Sequence, residues 1–398
     1  MLDRLTIEQM TAKAGDGPIL VALSGGGDSV ALLDLLAETL HDRDVRAIVV
    51  DHGLRAGSDQ DARRAADIAE FLDRPAQIEK LHWNEGANRA HEAARVARYR
   101  ALCAAARNCG ARVIVTGHTQ DDQAETVLMR MQRDSGLRGL AGMRAFAPMP
   151  IWPEGRGLWL ARPLLSVRRR VVRDYLRTHQ LNWIEDPANE NQIYARVRAR
   201  VFLAEQEGAG IDTMRLAAVA ARLQTVMAQI DEGASSLIAA SAMFEDNEIT
   251  LAPSDADAPV RQRALQVLIT AAGGHARGPD ADDVAAIDDA VQAGSFTGAT
   301  LAGALLRRRG DALVLSRDRG ALEGRADGTP GIAPLHLAAG VETVWDARLA
   351  LTAPQSGWSV VVENRAPWLA RGEERAVLAV ASPHWLLRER VQHVLGRD

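Results

Sequence analysis

The sequence predicts an α/β chain: a doubly wound, mostly parallel five-stranded sheet, followed by a helical domain and a small mixed C-terminal module. Three observations predict it. In the first 180 residues short β-branched runs alternate with amphipathic stretches, the pattern of a parallel sheet covered by helices on both faces. Residues 213–272 are Ala/Leu-rich and helical in pattern, without glycine loops. The last 60 or so residues follow a Gly-, Pro- and charge-rich run, 320–334, and carry only short strand candidates.

In order, strands are expected at 19–23, 45–50, 77–81, 112–116 and 158–161, where β-branched residues cluster. Helices are expected between them at 29–40, 58–72, 87–108 and 121–133, where apolar residues recur at helical spacing. A further helix, about 167–179, follows the stop at Pro163. The Gly-rich segment 207–211 marks a boundary, weak strands lie near 305–315, and 341–347 and 358–362 are strands of the last module. Domains at 1–208, 209–318 and 319–398 follow.

Composition bounds the function. With 47% apolar and 25% charged residues the chain is ordinary and globular, which excludes disordered and fibrous classes. No window reaches the roughly 18 apolar residues of a membrane span. Residues 1–10 carry Asp3 and Glu8 and lack the apolar core of a secretory signal. Cys103 and Cys109 are too few for a disulfide framework and are not spaced as a metal knuckle, so they read as buried thiols in a reducing cytoplasm. A net charge of −5 argues against coating nucleic acid by bulk charge. Yet residues 156–200 hold ten Arg against Asp174, Glu185, Asp186 and Glu190, a local net of +6. Such a stretch suits an anionic partner docking at one place, or a solvated helix face.

Three loops carry chemistry. Ser24-Gly25-Gly26-Gly27-Asp28-Ser29 joins the first strand to a helix, so glycines allow close approach, free N–H groups point outward and the helix dipole favours an anion. The bland alternative is a tight turn capped by Asp28. No lysine is present for a Walker A loop, and Val30 replaces the third glycine of a dinucleotide fingerprint. Asp51-His52-Gly53-Leu54-Arg55 follows the second strand and would alone pass for a capped turn. Gly117-His118-Thr119-Gln120-Asp121-Asp122-Gln123-Ala124-Glu125-Thr126 follows the fourth. Carboxylates at a helix start can complement its dipole, but that explains one Asp, not a His, two Asp and a Glu beside a phosphate loop. Glu125 lies one turn after Asp121 and Asp122, so all three can border one cavity.

Ser24–Ser29 resembles the loop of N-type ATP pyrophosphatases (the PP-loop superfamily, Rossmann-like in fold), which cleave ATP between the α and β phosphates. With 51–55, Glu92-Ala93-Ala94-Arg95, Arg98-Tyr99, 117–126, 135–143, Arg162-Pro163-Leu164-Leu165 and 185–200, residues 15–205 closely resemble the tRNA(Ile)-lysidine synthetases. The resemblance implies a cytoplasmic ligase that uses ATP and Mg2+ to join L-lysine to the wobble cytidine of CAU-anticodon tRNA(Ile). In this reading 1–208 is catalytic, 209–318 recognises tRNA, and no membrane is involved; a homodimer is an open option. It implies that Ser24, Gly25, Gly26, Gly27, Asp28, Ser29, Asp51 and His52 hold ATP, and that Asp28, Asp121 and Asp122 work with Mg2+ at the reacting centre. His118 would lie near the phosphates, and Arg98, Glu125, Arg196 and Arg200 would bind substrate.

Four positions in three segments depart from the family pattern: Asp134 after Arg133, Ala188 before Asn189, and Val197 and Ala199 between Arg196, Arg198 and Arg200. A tRNA-thiolating enzyme with the same loop and a non-catalytic tRNA-binding module are the rival readings. The first usually needs Cys pairs or an iron–sulfur site, and the intact loop motifs argue against the second.

Overall fold

The computed structural model of the chain describes residues 1–397 except 56, 84–90, 134, 186–192, 194, 208–210, 276, 277, 326 and 327. It comprises two compact units, Met1–Met227 and Ala228–Asp398.

The first unit runs α1 (Arg4–Ala14), β1 (Ile19–Ala22), α2 (Gly27–Thr39), β2 (Val45–Asp51), α3 (Ser58–Phe71), β3 (Ala76–Lys80), α4 (His91–Cys109), β4 (Val113–Val115), α5 (Gln120–Met131), α6 (Leu137–Leu140), β5 (Phe146–Pro148), β6 (Trp159–Ala161), α7 (Arg169–Thr178), α8 (Ala195–Glu205) and the first half of α9 (Thr213–Ser241). Its strands form one sheet in the order β3-β2-β1-β4-β6-β5, parallel except for β5 against β6. All five expected strands are present, and the sheet has six strands rather than five. The extra one, β5, is a three-residue edge strand ending in Pro148, where a missing amide donor is tolerated and no periodicity can show. The expected helix at 87–108 begins among residues outside the described ones.

Strand side chains alternate between two cores. Ile19, Val21, Val45, Ala47, Val49, Val113, Val115 and Trp159 face one core with Met10 of α1 and residues of α2, α3 and α7. Leu20, Ala22, Ile48, Ile114 and Leu160 face the other, with Tyr99, Leu102 and Cys103 of α4. Burial on both faces explains why these strands are nearly continuous apolar runs. Asp3, which argued against a signal sequence, caps α1 by accepting the Thr6 N–H at 2.8 Å. Strand order reverses between β1 and β4, so the loops after β1 and β4 flank the crevice where such sheets bind ligands.

The second unit continues α9 into β7 (Ala242–Glu245), β8 (Glu248–Leu251), α10 (Ala258–Gly273), α11 (Ala281–Gln292), β9 (Ala299–Leu301), β10 (Ala304–Arg309) and β11 (Ala312–Arg317). These strands form an antiparallel sheet, β7-β8-β11-β10-β9, so 209–318 holds a sheet as well as helices. β7, Ala-Met-Phe-Glu, has no β-branched residue and is joined to β8 by a two-residue turn, so nothing local separated it from helix. After α12 (Arg319–Glu323) come β12 (Leu335–His336), β13 (Glu342–Trp345), β14 (Leu349–Thr352), β15 (Ser359–Glu363), β16 (Ala366–Arg371), β17 (Glu374–Ala376), β18 (His384–Trp385) and α13 (Leu387–Leu395). They make two small sheets, β12-β15-β16-β17 and β13-β14-β18. Leu387, Val391 and Leu395 of α13 return to the core of α10 and the five-stranded sheet. The expected boundary at 208/209 lies outside the described residues, whereas the two units divide within α9. No helix among the described residues is long and apolar enough to cross a membrane.

Candidate active site

The turn between β1 and α2 is fastened by its own serines. Ser29 Oγ donates to the Gly26 carbonyl at 2.8 Å and accepts the Ser24 N–H at 3.2 Å, with Ser24 Oγ 3.1 Å away. These hydroxyls shape the loop: the Ser24, Gly26 and Ser29 N–H groups bond within it, which leaves those of Gly27 and Asp28, at the start of α2, as the outward donors. Gly25 has φ +79°, and a Cβ there would lie 2.5 Å from Ile184 Cδ1. Its carbonyl accepts the Ile184 N–H at 2.8 Å, so the segment after α7 is stitched onto the loop. Only glycine satisfies both conditions.

Asp28, in the first turn of α2, faces Asp121, Asp122 and Glu125 in the first turns of α5. A capping box opens α5: Asp122 Oδ2 accepts the Thr119 N–H at 2.8 Å and the Thr119 hydroxyl at 2.7 Å. One oxygen of Asp122 therefore performs the bland capping role, and the other, Oδ1, is directed into the site. There it meets Arg169.

Arg169 is the hub that sequence reasoning missed. Its Nη2 donates to Asp122 Oδ1 (2.8 Å), its Nε to Asp28 Oδ2 (3.1 Å) and its Nη1 to Glu125 Oε1 (3.2 Å). Its backbone N–H donates to Asp121 Oδ2 at 2.7 Å, and Arg168 pairs with the same oxygen at 3.3 Å. Burial works against the Arg169 charge, but Asp122, Glu125 and Asp28 outweigh it and hold the guanidinium protonated. Glu125 is almost wholly buried and also meets Arg200 (2.9 Å) and Arg196 (3.5 Å). The three-residue run Arg168-Arg169-Arg170 gave no sign of which member turns inward. The signal lay in helix geometry: Arg169 is the first residue of α7, and its backbone N–H and guanidinium meet the α5 carboxylates.

Burial pushes Asp28 upward more than Arg169 lowers it, and Asp28 Oδ1 is buried without a hydrogen bond. Burial would raise Asp122 too, but Arg169, His118 and the Thr119 N–H bring it down to about 2. A carboxylate so held is an anchor for a cation and a poor base. Asp28, Asp121 and Asp122 are hard oxygen donors of the kind Mg2+ takes, and Asp28 Oδ1 has no partner among the described residues, but with Arg169 between them the carboxylates do not close around one ion.

His118 lies half-buried after β4 with Nδ1 2.8 Å from the Thr116 hydroxyl. Burial, reinforced by Arg162, Arg98 and Arg196, drives its pKa down to about 3 despite Asp122, so the ring is neutral near pH 7. A group that folds neutral with a depressed pKa stabilises the fold above its unfolded value of about 6.5, and the contribution falls away as pH drops toward 3. His118→Gln is therefore expected to flatten the acid-side decline of melting temperature between pH 6.5 and 3. Parallel curves for variant and wild type would contradict the assignment.

Asp51 and His52 end β2 beside this crevice, and their observed contacts are local. Asp51 accepts the Gly53 N–H at 3.0 Å, His52 Nδ1 the Leu54 N–H at 3.1 Å, and the His52 carbonyl the Trp83 indole N–H at 2.7 Å. Burial would raise Asp51, but the Ser58 hydroxyl and Gly53 N–H hold it below the usual carboxylate range. Arg98 is exposed on α4.

The basic stretch is not one exposed patch. Arg162 is buried and donates to the Arg144 carbonyl at 2.6 Å, while Arg168 and Arg169 line the carboxylate cluster. Arg170, Arg177 and Arg198 face solvent. Cys103 packs in the α4 core, where burial pushes its thiol up to about 12, an inert state unsuited to sulfur transfer. Of the departures from the family pattern, Asp134 and Ala188 lie outside the described residues. Val197 and Ala199 are buried on α8, which leaves Arg196 and Arg200 on the face toward Glu125.

The ATP_bind_3 family, described as a PP-loop domain, matches residues 3–207. A tRNA(Ile)-lysidine synthase from Caulobacter vibrioides is 33% identical over 96% of this chain and 85% of its own length. One from Hyphomonas neptunium is 36% identical over 77% of this chain and 83% of its own. A third, from Mesorhizobium japonicum, is 39% identical over 84% and 72%. With the fold, the loop and the carboxylate cluster in place, the chain belongs to the tRNA(Ile)-lysidine synthase family of PP-loop enzymes.

Proposed function

We propose that this enzyme joins L-lysine to C2 of the wobble cytidine of CAU-anticodon tRNA(Ile) through an adenylated tRNA, releasing AMP and diphosphate. The observation that carries the reading is the convergence of Asp28, Asp121, Asp122 and Glu125 on Arg169 beside the glycine turn.

Cytosine C2 is a poor electrophile with a poor leaving group. Attack by its O2 on the α phosphorus forms an O–P bond and expels diphosphate. The lysine ε-amine then adds to C2, and AMP departs carrying O2. Mg2+ bound with ATP would supply charge neutralisation, with Asp28, Asp121 and Asp122 as its protein ligands. Free backbone N–H groups at the start of α2, those of Gly27 and Asp28, hold the triphosphate, Arg168 and Arg169 balance its charge, and the fixed geometry keeps O2 and phosphorus in line. Glu125 sets the forks of Arg196 and Arg200, suited to the lysine α-carboxylate, and exposed Arg98 suits the RNA side. Deprotonating an ε-ammonium of pKa about 10.4 at pH 7 costs about 4.6 kcal/mol. Holding the reactants in place can lower a barrier by about 7–11 kcal/mol, so positioning covers that cost. The setting is the cytoplasm, with ATP and tRNA.

AMP release from ATP tests the reading. It should need both CAU tRNA and lysine; release without lysine, or only with a sulfur donor, would contradict it. For docking, exposed Arg170 and Arg177 are the members of the stretch expected to meet tRNA phosphates. Neutralising each should reduce the salt slope of tRNA binding by about 1. An unchanged slope would remove that face from the interface.

A further inference from the structure

One helical turn beyond Arg169, Arg173 occupies a position that the carboxylate cluster does not explain. Its guanidinium lies close against the glycine turn: a Cβ on Gly27 would come 2.6 Å from Nη1 and 3.0 Å from Cζ. Gly27 begins α2, whose first N–H groups have no carbonyl of their own helix to meet. Arg173 Nη1 is buried and makes no hydrogen bond among the described residues. Among them the carboxylate oxygen that pairs with it, Glu185 Oε1, is 3.7 Å away on an exposed side chain, too far for a hydrogen bond. The guanidinium carbon lies 5.0 Å over the centroid of the Trp183 ring, a cation–π contact that holds the side chain in place.

The electrostatics of this arrangement are unfavourable as it stands. A cation beside a helix N-terminus opposes the positive end of the helix dipole. Asp28, the acid of that first turn, is engaged by Arg169 at 3.1 Å. A buried donor without an acceptor and a helix start facing a cation lack the same thing, an anion between them.

We propose that Arg173 is a binding residue for the β- and γ-phosphates of ATP, closing the glycine turn from the α7 side. The inference rests on the reading of that turn as a triphosphate cradle. Arg169 serves the reacting cluster, and Arg173 follows it along α7 by one turn, about 5.4 Å. The two cations therefore divide the polyphosphate, Arg169 toward the end where chemistry occurs and Arg173 toward the diphosphate that leaves. A guanidinium held at this place suits a forked contact to phosphate oxygens.

The test compares Arg173→Gln and Arg173→Lys with wild type for binding of ATP, inorganic diphosphate and AMP by calorimetry. Loss of a charge-assisted contact should weaken ATP and diphosphate about 10- to 100-fold in Arg173→Gln. Arg173→Lys should recover part of the loss, and AMP should bind as in wild type, which also reports an intact fold. Unchanged ATP and diphosphate affinity would overturn the assignment. So would an equal loss for AMP, which would make Arg173 a support of the loop as a whole. If wild type bound neither ATP nor diphosphate, the cradle reading itself would fall, and with it this inference.

Discussion

Asp122→Asn should leave ATP and tRNA binding largely intact while lysidine formation falls by about 100- to 1,000-fold or more, the scale on which one preorganised electrostatic contact acts (about 2.7–4 kcal/mol). The asparagine carbonyl can keep the α5 cap that Asp122 Oδ2 now makes with Thr119. What changes is the oxygen aimed at Arg169, which becomes a neutral amide unable to anchor a cation. Single-turnover AMP transfer to tRNA separates this from a binding defect. Near-normal turnover would remove Asp122 from the chemistry.

The second large effect is expected at Arg169. Replacing it with alanine leaves Asp28, Asp122 and Glu125 facing one another without the guanidinium that bridges them at 2.8–3.2 Å. Removing one partner of a buried ion pair typically costs about 3–5 kcal/mol. For a unit of this size that corresponds to a melting temperature lower by about 6–20 °C. Because the proposed function assigns Mg2+ to the oxygens that Arg169 now occupies, millimolar Mg2+ should raise the melting temperature of Arg169→Ala more than that of wild type. An equal Mg2+ shift in both proteins, or no destabilisation, would show that the guanidinium does not hold the cluster together.

Much of this site was legible in the sequence because its parts announce themselves locally. The glycine turn follows a strand and starts a helix, and the acids of α5 follow a second strand at helical spacing, so sheet topology alone brings Asp28 to Asp122 and Glu125. Arg169 was not legible in that way. It sits among ten arginines in 45 residues, and the choice of which ones turn inward depends on where α7 begins relative to α5. The same tertiary choice removed Arg162 from the solvent face. In the fold, long periodic elements such as α2, α5 and β2 were clear, whereas β5, β7 and the two-residue strands β12 and β18 are too short for a period to register. The α13 helix, joining a core more than 100 residues back in the chain, is a long-range pairing with no local signal.

The most direct measurement of the central claim is the mass of the anticodon nucleoside after incubating the enzyme with ATP, L-lysine and CAU-anticodon tRNA(Ile). The account predicts a wobble cytidine heavier by one lysine less one water. A cytidine recovered unmodified, or with sulfur in place of its oxygen, would contradict it.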